Sequence, residues 1–82
     1  MKSYVKKYLE YFGYGPEDFI PCEICSKKAV DIHHVEPRSK RMDLLNDIQN
    51  IMALCRECHN KYGDVPEKKD WLRDIHLQKM NC

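Results

Sequence analysis

Four cysteines constrain this chain more than anything else in it. They fall in two pairs, Cys22-Glu-Ile-Cys25 and Cys55-Arg-Glu-Cys58. Two residues between thiols let both sulfurs of a turn converge on one ion, and two such turns complete a tetrahedron of the kind zinc prefers. A disulfide framework is the competing reading, and the tight paired spacing favours metal over it. The chain has 82 residues, and a domain of that size buries only about two-thirds of its unfolded surface, so a staple is needed. With four thiolates the ion has no open coordination position, so it holds the fold together and does no chemistry. The stretch between Cys25 and Cys55 is longer than a minimal zinc turn requires, so it is looped out between the two halves of the site. Cys82, the odd thiol, stands at the terminus and is assigned no function.

The rest of the composition limits the setting. The start, MKSYVKKYLEYFGYG, has no uninterrupted apolar stretch of signal-peptide length, and no run approaches the ~20 apolar residues of a membrane span. The expectation is a cytoplasmic protein in a reducing environment, with no membrane partner. A formal net charge of +1 says nothing for or against nucleic acid, so any affinity for DNA must come from local patches. Two are visible: Pro37-Arg38-Ser39-Lys40-Arg41, and Lys68-Lys69 with Arg73. A solvated surface run is the plainer reading of either.

Along the chain, Val5, Tyr8, Leu9 and Phe12 share one helical face, which predicts a helix over residues 2–12 ended by Gly13, Gly15 and Pro16. A connector follows, with Phe19 and Ile20 available for packing. Residues 29–35 and 50–54 have strand composition. Arg56 to Tyr62 suits a short helix ended by Gly63. Asp64 and Glu67 have capping-box spacing, with Pro66 tolerated in the first turn, before a last helix to about Met80 that turns Trp71 or Leu72, then Ile75, inward. One domain accommodates all of this: residues 1–20 as helix and connector, 22–63 as the zinc core, 64–82 as the C-terminal helix.

Between and beside the cysteines lie His33, His34, Asn50 and His59. Adjacent residues of a strand point to opposite faces, so His33 and His34 should serve different ends. A lone strand histidine is more often a core or surface residue, and Asn50 alone could be a turn residue. His33 or His59 could also enter the zinc site, although four thiols already suffice. His76 reads as surface or packing. The segments DIHHVEPR (31–38), NIMALC (50–55) and CHNK (58–61) nevertheless resemble, in order and type, the HNH endonuclease family, over about residues 22 to 63.

The resemblance implies an α+β fold with a small zinc-stabilised ββα-metal core, β-hairpin plus helix, flanked by N- and C-terminal helices. It implies metal-dependent hydrolysis of DNA phosphodiester bonds. His34, three residues before Pro37, would be the general base, and Asn50 the residue that holds the hairpin loop and orients that base. His33 and His59 would hold the catalytic ion, Mg²⁺ by default or another divalent metal, while Cys22, Cys25, Cys55 and Cys58 hold structural Zn²⁺. Arg38, Lys40 and Arg41 are expected to contact DNA. The residue types suit the chemistry: imidazole titrates near neutral pH, and a cation offsets charge on phosphate and leaving oxygen. Two departures stand out. The loop Ser39 to Gln49 lacks the glycines common in the family, and Gly63 falls near a position where some members supply another metal-binding histidine. The alternative function is a non-catalytic zinc module that binds nucleic acid or protein. So small an enzyme leaves little surface for specific recognition, so the expectation is weak sequence preference alone, or a homodimer or partner protein that supplies specificity.

Overall fold

A computed structural model describes residues 2–36 and 42–81. Helix α1 (Ser3–Phe12) ends where Gly13 takes a left-handed conformation, φ 75°, and returns hydrogen bonds to the last turn, the conformation glycine adopts at no steric cost. Strands β1 (Asp31–His34) and β2 (Ile51–Leu54) form an antiparallel hairpin, with Asp31 opposite Leu54, His33 opposite Met52 and His34 opposite Ile51. The ladder runs slightly past both strands, since the amides of Val30 and Val35 bond the carbonyls of Leu54 and Asn50. Helix α2 (Arg56–Cys58) continues into a π turn over His59–Gly63, and a 3₁₀ turn, Pro66–Lys68, leads into α3 (Lys69–Met80). This is the small α+β hairpin-and-helix architecture the sequence implies.

All four residues of β2 are buried because the hairpin is covered on both faces. On one face Met52 and Leu54 join Cys22, Val35, Cys55, Cys58 and Leu72. On the other, Ile51 and Ala53 meet Tyr8 of α1, with Phe12, Ile20 and Ile32 packed around them. Period-two alternation thus sends His33 toward the cysteine-rich side and His34 toward α1.

Several expectations need correction. The stretch from Arg56 is not one α-helix, because its second half widens to a π turn. Asp64 does not cap the start of a helix: it closes that π turn, and Val65 opens the 3₁₀ turn before α3 without any side-chain cap. Leu72 is the inward residue of α3 while Trp71 stands 41% exposed, and Phe19 packs on little, at 60% exposure. Among the described residues no helix is long and apolar enough to cross a membrane.

Candidate active site

The four sulfurs of Cys22, Cys25, Cys55 and Cys58 lie within 4.8 Å of one another, a cluster compatible with zinc. Each pair sits on a tight turn. In the first, the Ser26 amide bonds the Cys22 carbonyl and Ser26 is left-handed, φ 69°. In the second, Cys55 Sγ accepts the Cys58 amide at the start of α2. Burial works against ionising Cys22, but backbone hydrogen bonds from Cys25, Cys55 and Ile24 outweigh it and bring the thiol down to about 7. Thiolate is the form that binds metal.

A separate cleft of about 790 Å³ opens along β1 and is lined by His33, His34, His59, Asp31 and Gly63, with Tyr4 of α1 and Lys69 of α3 at its walls. The rings of His33 and His59 meet edge to face, centroids 4.9 Å apart. His59 Nδ1 bonds Asp31 Oδ2 at 3.0 Å, which turns Nε2 to the other side of the ring. A carboxylate in that relation to an imidazole is the usual support of a metal-binding histidine. His33 is buried, and its Nε2 finds no hydrogen-bond partner among the described residues. An orphaned buried nitrogen costs about 1–3 kcal/mol unless something binds it. Burial first, then the neighbouring His59, pulls the His33 pKa down to about 4, so the ring is neutral at physiological pH and its lone pair is available. This pair therefore fits a divalent ion, with Asp31 as support. Gly63 makes the pair possible: a Cβ there would lie 2.6 Å from His59 Cδ2 and 3.3 Å from His33 Cε1. A side chain at 63 is incompatible with this placement of the two rings.

His34 stands on the opposite side of β1. Its Nε2 lies 3.0 Å from the Leu45 carbonyl. A carbonyl only accepts, so Nε2 carries the proton and Nδ1 the lone pair. Tyr4 packs edge-on against the ring, centroids 4.5 Å apart. Asn50 is buried; its Oδ1 accepts the Glu36 amide at 2.7 Å, and its Nδ2 donates to the carbonyls of Glu36, 3.2 Å, and Leu44, 3.4 Å. It thereby ties together the two ends of the loop between the strands. Its amide meets backbone at Leu44, and the His34 imidazole is held by the next carbonyl along.

The site thus collects His33, His34 and His59 in one cleft, with Asn50 behind the loop and the cysteines apart. Arg38, Lys40 and Arg41 lie outside the described residues. Asp31, Tyr4 and the Leu45 carbonyl were not anticipated. Asp31 has a faint signal, since it shares the face of His33 two residues on, while the other two come from distant or backbone positions.

The sequence profile of the HNH endonuclease family matches residues 22–64, more than half of the chain. The chain belongs to the HNH endonuclease family. It is also 37% identical over 51 residues to a mitochondrial DNA mismatch repair protein mutS homolog from Sarcophyton glaucum, a match covering 56% of this chain and 5% of that protein. The chain therefore spans a small part of the length of that relative. No solved structure matches it. The HNH profile ends near the π turn, so α1 and α3, which help to wall the cleft, lie outside the matched residues.

Proposed function

We propose that this chain is a metal-dependent endonuclease that hydrolyses DNA phosphodiester bonds. The observation that carries the reading is the shared cleft: neighbouring strand positions 33 and 34 turn one imidazole toward His59 and the other toward the Leu45 carbonyl. His33 and His59 would hold a divalent ion, Mg²⁺ by default, which supplies positive charge to the phosphate and the leaving oxygen. His34 would take a proton from water at Nδ1 while its Nε2–H stays on the Leu45 carbonyl, an acceptor that favours the ring more as it becomes charged. Asn50 keeps that carbonyl in place by closing the loop. Hydrolysis would leave a 5′ phosphate and a 3′ hydroxyl. The cysteine cluster would carry structural Zn²⁺, in a cytoplasmic, reducing setting where thiolates persist. DNA as substrate accords with the family and with the DNA-repair name of the relative. A second copy or a partner protein would supply sequence preference.

The test is nicking of supercoiled plasmid in Mg²⁺, Mn²⁺, Ni²⁺ or Zn²⁺. Wild type should nick, and His34→Ala should lose about 10²–10⁴-fold in rate with zinc content and circular dichroism unchanged. Full activity in that variant removes His34 from the mechanism. No cutting by wild type in any metal favours the alternative, a zinc module that only binds.

A further inference from the structure

Glu36 ends the first half of the hairpin, and its backbone is gripped on both sides by Asn50. Its carboxylate meets two cations from α3. Lys69 Nζ lies 3.3 Å, and Arg73 Nη2 3.1 Å, from the same oxygen, Oε1. The two are one helical turn apart, so they stand side by side on one face. All three side chains remain accessible: 33% for Lys69, 36% for Arg73 and 22% for Glu36. Lys69 lines the catalytic cleft, and Arg73 lines a small hollow of about 120 Å³ against Leu44 and Asn50. The pair therefore straddles the base of the loop that positions His34.

Two cations share one carboxylate, and the further anion, Asp70, meets Arg73 at 3.4 Å with a side chain 93% exposed, where water screens it. Ion pairs this accessible to water contribute little to stability, so they exchange readily for another anion. The neighbouring Lys68 takes no part, since its Nζ lies over the Trp71 ring at 5.4 Å. Of the basic cluster at residues 68–73, Lys69 lines the cleft, Arg73 lines the neighbouring hollow, and Lys68 leans on Trp71.

We infer that Lys69 and Arg73 form a clamp for DNA backbone phosphates at the mouth of the cleft, with Glu36 as a stand-in anion that holds both cations in position until phosphate displaces it. The inference rests on the reading of the cleft as a DNA-hydrolysing site. Glu36 then has two opposed effects: it preorganises the clamp, and it competes with the substrate for it.

The experiment measures binding of a fluorescently labelled DNA oligonucleotide by anisotropy, over a range of KCl, in the His34→Ala background of the 82-residue chain so that no strand is cut. Neutralising both cations, Lys69→Gln with Arg73→Gln, should flatten the slope of log Kd against log salt by about 1.4–1.8 and weaken binding about tenfold or more at 0.1 M salt. Glu36→Gln should tighten binding and steepen the slope, an outcome no purely structural role of Glu36 gives. Zinc content reports the fold of each variant, and should the double variant fail to fold, Glu36→Gln alone decides. An unchanged slope in the folded double variant, weaker or unchanged binding by Glu36→Gln, or no binding by the parent overturns the clamp. The parallel cleavage assay keeps the two readings apart: a chain that binds with these slopes but never cuts retains the clamp and loses the nuclease, and the reverse result does the opposite.

Discussion

Gly63 sets what the His33–His59 pair can be. Its backbone needs no unusual φ, so the requirement is one of space: an added methyl meets the His59 ring at 2.6 Å, well inside contact distance. His59 cannot simply swing aside, because Asp31 holds its Nδ1 and Arg56 also bonds that carboxylate. Gly63→Ala should therefore shift His59 and lower divalent-metal affinity by about 10–100-fold, the size of effect seen when the support of a metal ligand is lost. The measurement is nicking rate against metal concentration, with the midpoint expected to move upward while zinc content holds. An unmoved midpoint means that His59 does not hold the ion. The family resemblance marks Gly63 as the place of a ligand some members supply; the structure gives it a different meaning, as the residue whose absence of side chain lets the rings of His33 and His59 meet.

At the level of elements, the hairpin and the two cysteine turns depend on one another. Two strands of four residues make too small a sheet to stand alone in water, and the first cysteine turn carries Ser26 in a left-handed conformation that costs roughly 1–2 kcal/mol for a non-glycine residue. The Glu23 amide bonds the Ala53 carbonyl, which stitches that turn to β2. Zinc held by the four cysteines, as proposed above, would bind these pieces together. Structural zinc contributes about 10–16 kcal/mol of apparent binding energy, comparable to the whole net stability of a domain. Chelation should abolish the cooperative thermal transition seen by circular dichroism, and readdition of Zn²⁺ should restore it. A chelated protein that melts like the parent would remove zinc from the folding account. The strands themselves were legible from composition, as were the positions of the turns. The π turn at 59–63 was not, because it differs from an α turn by a single residue per turn and leaves no mark in the hydrophobic pattern.

Over the whole molecule, one buried carboxylate joins the parts. The Glu23 side chain is fully buried between Cys22 and Ile24 and accepts from Tyr8 Oη of α1 at 2.6 Å, from the Ala53 amide of β2 at 3.1 Å and from His76 Nδ1 of α3 at 2.8 Å. The other nitrogen of His76 bonds the Ile48 carbonyl, in the turn that presents Asn50. His76 is thus a packing residue, as the sequence allowed, though not a surface one. Every polar atom of this network has its partner, the condition under which a buried polar group fixes one arrangement. Glu23→Ala leaves the others unpaired and should cost about 3–5 kcal/mol, read by denaturant unfolding of the zinc-loaded protein. The exposed Glu57→Ala should stay within about 0.5 kcal/mol. Equal stability of the two variants would show that α1 and α3 are held by apolar packing alone.

The sequence by itself determined what local geometry can encode. The spacing of the cysteines gathers four sulfurs, and the two-residue period of a strand sends His33 and His34 to opposite faces, whatever surrounds them. The tertiary structure alone decided who meets whom. Asp31 reaches His59 across 28 positions, Glu36 reaches Arg73 across 37, and Glu23 reaches His76 across 53. Such pairs leave no periodicity to read, because they exist only once the hairpin and both flanking helices close around the same core.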